Sequence, residues 1–213
     1  MVGTLAVLVA GGAGERLGAG VPKALAQLGG MTLLERAARA LASVGDEVVV
    51  AAPRSLVLPL PAAVRARGGS LLRRVGDRPG ARGPLAGMVA GLVDEAPPFE
   101  RALVLGVDFP FMEPVFLAAL LERLGDAQAV VPAPAGIIQP LAAAYAPTAA
   151  AILATCHAAG EGGPTRALRS LTVRQLDDAE IAHMPGGHGC LINLNTPGDW
   201  AQAERRMAAR AAR

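Results

Sequence analysis

A chain of 213 residues with a net charge of +2 has the size of one α/β domain with a sizeable core, and too little charge for a nucleic-acid or membrane surface. Hydrophobic residues make up 52% of it and aromatics only 3%, an alanine, valine and leucine excess that suits helices packed closely on a sheet. Cys156 and Cys190 stand in no CxxC pairing, which excludes a disulfide framework and a thiolate zinc site and points to a reducing cytoplasm.

The amino-terminal apolar run has no basic leader and no clear cleavage site, so a secretory signal is not expected. Residues Ile137 to Cys156 are nearly apolar over about the length of a bilayer span, but Gln139, Pro140 and Pro147 divide them into a strand, a turn and a helix.

In chain order, Thr4 to Val9 (TLAVLV) reads as a buried strand that opens onto VAGGAGERLGAGVPK, Val9 to Lys23. Thr32 with Glu35 three residues later makes a capping box for a helix over Leu33 to Ala42. Glu47 to Ala52 is a second strand, stopped by Pro53, and Leu71 to Val75 a short third. Gly83-Pro84 starts a helix running to about Glu95. Ala102 to Gly106 is a central strand that ends on Val107-Asp108-Phe109-Pro110, so an acid stands at a strand's carboxyl end, where open α/β sheets bind ligands.

Pro114 begins a helix to about Leu124, and Ala129 to Pro132 returns as a strand. Gln139-Pro140 precedes an apolar run to Tyr145, Thr148 to Ala158 is helical, and GEGGP at 160 to 164 is a loop. A short helix from Thr165 and a strand over Thr172 to Leu176 follow. Leu191 to Leu194 is apolar around Asn193, and Thr196-Pro197 with Asp199 starts the last helix by cap, proline and dipole together. Strands alternating with helices predict an α/β fold: one domain over residues 1–213, a three-layer sandwich around a mostly parallel, doubly wound sheet. There is no internal repeat and no linker.

The glycines at 11, 12, 14, 18 and 20, with Arg16 and Lys23, form a loop that can wrap an anion with backbone N–H groups and cap it with cations. It is not a Walker A loop, because Lys23 sits between Pro22 and Ala24. It is not the dinucleotide fingerprint either, since Leu17 occupies the place of the third glycine. What remains is a strand, a flexible loop and two cations able to offset the charge that grows on a departing pyrophosphate.

The stretch VAGGAGERLGAGVPKAL resembles the amino-terminal motif of nucleotidyltransferases that join a nucleoside triphosphate to a phosphorylated acceptor. GPLAGMVAGL (83–92), GVDFPFM (106–112), QPLAAAY (139–145) and NLNTPGDW (193–200) follow in the order and at about the spacing of the molybdenum cofactor guanylyltransferase family. The resemblance implies a Rossmann-like nucleotidyltransferase fold and attack of a molybdopterin phosphate on the α-phosphorus of GTP. It also implies Mg2+ as cofactor and contact with other cofactor-biosynthesis proteins.

Asp108 suits Mg2+ as a hard oxygen ligand at a strand end, and Arg16, Lys23 and Asp108 are the candidate catalytic residues. Asn193 and Asn195 lie two apart, so in a strand their side chains share a face; the resemblance takes them to the metal and phosphates. It also implies that the main chain of Val9, Ala10 and Gly11, with Gly12 and Gly14, holds the nucleotide. Asp77 would touch the nucleoside and Gln139 would lie near the acceptor. Where many relatives carry asparagine after the second strand, this chain has Ala51-Ala52-Pro53, which leaves guanine and cytosine both open. Another nucleotidyltransferase of the superfamily, using CTP or a sugar- or polyol-phosphate acceptor, and a non-catalytic nucleotide-binding module are the alternatives. HMPGGHGC at 183–190 lacks a fourth zinc ligand.

Overall fold

The computed structural model describes residues 2–11, 21–76, 83–94 and 96–211. Its strands are β1 (Val2–Val9), β2 (Gln27–Leu28), β3 (Met31–Thr32), β4 (Glu47–Ala52), β5 (Arg73–Gly76), β6 (Phe99–Gly106), β7 (Ala129–Pro132), β8 (Ala142–Tyr145) and β9 (Val173–Leu176). The helices are α1 (Leu33–Ala42), α2 (Pro84–Val89), α3 (Pro114–Glu122), α4 (Pro147–Ala158), α5 (Pro164–Ala167), α6 (Asp178–His183) and α7 (Pro197–Ala211).

β2 and β3 form a small hairpin, and the other strands make one seven-stranded sheet in the order β5-β4-β1-β6-β8-β7-β9. Every pairing in it is parallel except those of β8, which runs antiparallel to both β6 and β7. The reason is local: segment 133–141 is shorter than the dozen or so residues that a parallel crossover needs. The expected mostly parallel, doubly wound sheet is therefore present, with one reversed strand inside it.

Both faces are covered. Leu5, Val7 and Val9 of β1 pack with α2 and α4, whereas Ala6, Leu8 and Ala10 pack with α1 and α3. A strand buried on both sides needs no polar alternation, which explains the unbroken apolar run of TLAVLV. Helix α1 starts where expected, the Thr32 side chain accepting the Glu35 N–H at 3.1 Å, but the box closes only on that side, because the Glu35 carboxylate pairs with Arg39 at 2.7 Å.

Helix α2 and the turn that follows it sit close on β1 because their contact positions are glycine. A Cβ at Gly87 would stand 3.0 Å from Val9 Cγ1, and one at Gly91 only 2.3 Å from Val7 Cγ1. Where the sequence predicts one helix to about Glu95, the α-helix ends at Val89 and widens into a π turn over Ala90–Asp94; Glu95 lies outside the described residues. β5 begins two residues later than expected, at Arg73, and Leu71 is exposed.

The apolar stretch around Asn193 is not a strand, so the shared face that a strand would give Asn193 and Asn195 does not arise that way. Left-handed Gly186 and Gly187 lead into a 3-10 turn, Gly187–Leu191. The chain then follows the edge of the sheet instead of joining it, the Leu194 N–H donating to the Asp108 carbonyl at 3.0 Å. Among the described residues no helix is long and apolar enough to cross a membrane, and neither Cys156 nor Cys190 is in a disulfide.

Candidate active site

From β1 the chain proceeds outward through β4 to β5 and then returns to β6 on the other side of β1. The order reverses between β1 and β6, and the crevice at their carboxyl ends is where such sheets bind ligands. Val9 and Gly106 pair across it.

Past Gly106 the chain turns tightly. The Val107 N–H donates to Val9 O at 3.2 Å and the Met112 N–H to Phe109 O at 3.2 Å, while Val107, Phe109 and Phe111 are buried. Asp108 is thus fixed by its neighbours. A Cβ at Gly106 would lie 2.3 Å from Asp108 Oδ1, so the carboxylate folds back over a position that only glycine leaves open.

Lys23 opens a short 3-10 turn behind Pro22, held by the Leu25 N–H on Pro22 O at 2.8 Å. Its Nζ donates to Asn195 Oδ1 at 3.2 Å and lies 3.8 Å from Asp108 Oδ2. The Lys23 and Asp108 side chains are only 15% and 19% exposed, and the Asn193 side-chain amide hydrogen-bonds to Asp108. The structure brings Lys23, Asp108, Asn193 and Asn195 together, through a turn and a helix cap rather than along a strand.

The cap expected from Thr196, Pro197 and Asp199 is present, and it does more than start α7. The Asp199 carboxylate accepts from the N–H groups of Asn195 at 2.9 Å and Thr196 at 2.8 Å, and the Asp199 N–H returns a bond to Thr196 Oγ1 at 3.1 Å. The Thr-x-x-Asp spacing signals a helix start; it also fixes the backbone that carries Asn195. Helix α7 is seated on the Asp108 turn, with the Arg206 guanidinium 4.9 Å from the centre of the Phe111 ring.

The electrostatics are unbalanced. Burial raises the Asp108 pKa, outweighing the opposite pull of Lys23, of backbone N–H and of the Asn193 amide. Asn193 Oδ1 is buried and has no hydrogen-bond partner among the described residues. Buried acceptors are normally satisfied, so a carboxylate short of positive charge beside an orphaned amide oxygen is a donor set that fits a hard divalent cation. The Asn195 N–H, chief among its partners, holds Asp199 below the usual carboxylate range, and the Lys23 charge adds to this.

Gln139 reaches the same edge from the other direction, because the amino end of β8 lies beside the carboxyl end of β6. Gly106 N–H donates to Leu141 O at 2.7 Å, and the Gln139 side-chain amide donates to Ile137 O at 3.2 Å. Val9 and Ala10 are buried, the Ala10 N–H bonds to Ala51 O at 2.8 Å, and the Cα of Gly11 faces Pro53. Their main chain therefore runs beside the end of β4. Gly12, Gly14, Arg16 and Asp77 lie outside the described residues. His183 bonds to Ala179 O of its own helix and His188 to Asp178.

Residues 6–179 match the family described as "MobA-like NTP transferase domain". The chain is 33% identical to the "Probable molybdenum cofactor guanylyltransferase" of Natronomonas pharaonis over 208 residues, covering 95% of this chain and 97% of that protein. Its fold is that of "Molybdopterin-guanine dinucleotide biosynthesis protein A" from Archaeoglobus fulgidus, with a TM-score of 0.74 at 23% identity over 97% and 99% of the two chains. A Mycobacterium tuberculosis protein crystallised with manganese shares the fold at a TM-score of 0.61 and 18% identity, over 95% and 98% of the chains. The chain belongs to the MobA-like NTP transferase family, as a relative of the molybdenum cofactor guanylyltransferases.

Proposed function

We propose that this protein transfers GMP from GTP to the phosphate of molybdopterin, or of the molybdenum cofactor, and releases pyrophosphate. The observation that carries the reading is the cluster at the switch point, where Lys23 meets Asp108 and the Asn193/Asn195 pair. Family membership, and the name of the Natronomonas relative, support the choice of substrates.

Each residue has a role that follows from its surroundings. Lys23 holds its charge close to Asp108 but bonds to Asn195, so the ammonium is positioned to meet phosphate oxygens as charge gathers on the departing pyrophosphate. Asp108 and Asn193 Oδ1 would hold Mg2+, and manganese in a relative's structure supports a divalent ion. When bound, the ion draws charge from phosphate oxygens. In the transfer, an oxygen of the acceptor phosphate forms the bond to the α-phosphorus, and the bond from that phosphorus to the leaving pyrophosphate oxygen breaks. The chain's contribution is to hold both phosphates in line and in place.

By the same reading, Gly12, Gly14 and Arg16 complete the triphosphate cradle, Asp77 and the Val9–Gly11 main chain take the nucleoside, and Gln139 faces the acceptor. The test is pyrophosphate release with molybdopterin and each nucleoside triphosphate in turn. Selective turnover of GTP is expected. Equal or better turnover of CTP overturns the guanine assignment, for which Ala51-Ala52-Pro53 at the end of β4 offers no side-chain donor or acceptor.

A further inference from the structure

A second polar junction lies at the start of α6. The Asp178 carboxylate accepts the Ala135 N–H, at 3.2 Å to Oδ1 and 3.0 Å to Oδ2, and Oδ1 also bonds to His188 Nε2 at 2.7 Å. These partners sit on the two segments that enter the site on the β8 side. Ala135 belongs to the strap 133–139, which ends on Gln139; His188 belongs to the 3-10 turn that leads to Asn193 and Asn195.

The strap is held in a conformation that its sequence does not favour. Ala135 has φ 51° and ψ 31° and is the one non-glycine residue with positive φ among those described; Gly136 follows at φ 76°. An alanine adopts the left-handed region only where its surroundings impose it, and such outliers collect at functional sites. The strap's ends are tied down, Ala133 N–H to Leu176 O at 2.8 Å and Gln139 N–H to Pro132 O at 2.9 Å. Its middle makes two turn bonds of its own, Gly136 N–H to Ala133 O at 3.0 Å and Ile137 N–H to Pro134 O at 2.9 Å, and is tied to α6 by Asp178. Helix α6 does not need that carboxylate, since Asp177 and Glu180 form a complete capping box of their own. The bond from His188, and after it the Ala135 N–H, lowers the Asp178 pKa.

We propose that Asp178 is a positioning residue which, with His188, latches the strap to segment 187–195 and so sets the spacing between Gln139 and the Asn193/Asn195 pair that the acceptor must fit. This rests on the transferase reading, which puts Gln139 on the acceptor side.

Two measurements on the full chain test it. In steady-state kinetics with GTP and molybdopterin, Asp178→Ala is expected to raise the acceptor KM about tenfold and leave the GTP KM within about twofold. Asp178→Asn, whose amide oxygen still accepts from Ala135, restores most of the loss. Ala135→Gly added to Asp178→Ala restores part of it, because glycine takes the left-handed conformation unaided. An unchanged acceptor KM, or equal rises for both substrates, overturns the proposal. The second measurement, hydrogen exchange, needs no turnover. Asp178→Ala is expected to speed exchange about tenfold in both 133–139 and 187–195, and acceleration confined to α6 overturns the latch. If the wild type transfers nothing from GTP while both segments respond, the coupling stands and its link to the acceptor falls with the transferase reading.

Discussion

Between β5 and β6 every strand runs the same way, so the site edge receives only strand ends there: Val9, Ala52, Gly76 and Gly106. Beyond β6 the reversed β8 brings a strand beginning to that edge, and with it Gln139 and Leu141. The parallel half can therefore present main chain and the loops that follow it. The mixed half can present side chains carried on a strap, with the α7 cap arriving from the far end of the chain. Asp108 stands on the seam between the two.

The largest expected effect is at the seam. Asp108→Asn is expected to lower kcat/KM by about 10³-fold or more, yet to raise the melting temperature of the metal-free protein at neutral pH. The sign follows from burial, which puts the folded pKa above the ordinary 3.8. The fold favours the neutral acid, so this contribution to stability is whole below 3.8 and is lost as pH rises through the folded value. Thermal melts across pH, with chelator and then with Mg2+, check this. Magnesium should stabilise the wild type and not the variant; a variant that melts below the metal-free wild type at neutral pH refutes the electrostatic account.

Lys23→Ala removes the cation that the parallel half brings to the seam, and a fall of about 10²-fold in kcat/KM is expected, with partial recovery in Lys23→Arg. If the GTP KM alone changes, Lys23 binds substrate without assisting departure of pyrophosphate. Gly91→Val tests how the parallel half is packed, since the new side chain would occupy the place of Val7. A loss of about 2 to 3 kcal/mol is expected in urea unfolding. The smallest effect is in the mixed half: Tyr145→Phe removes the buried 2.8 Å bond from the phenol to Pro140 O, at a cost of about 1 kcal/mol by the same measurement.

Much of this was legible in the sequence because it is local. The apolar runs of β1, β4 and β6, the Thr32–Glu35 cap and the Gly83-Pro84 helix start are each decided within a few residues. The direction of β8 is not local in that sense; it follows from the length of the preceding segment, and an alternating or continuous apolar run reads alike in both directions. Asn193 and Asn195 were identified as a pair, but their common face does not come from strand pleating. Glycines 186 and 187 redirect the chain before it reaches the sheet. The Asp177–Glu180 capping box stood in the sequence unread, and with it α6.

The bond between Lys23 and Asn195 joins residues 172 positions apart. During synthesis the glycine loop is made early, while Asn195 and the cap that frames it come after every strand of the sheet. Until α7 has docked, the lysine lacks the Asn195 amide oxygen to which it donates beside Asp108. The nucleotide half emerges before its opposite wall, so turnover reports that the chain has closed on itself rather than that any one piece has formed. Loosening either end should silence the enzyme before the sheet between them has melted.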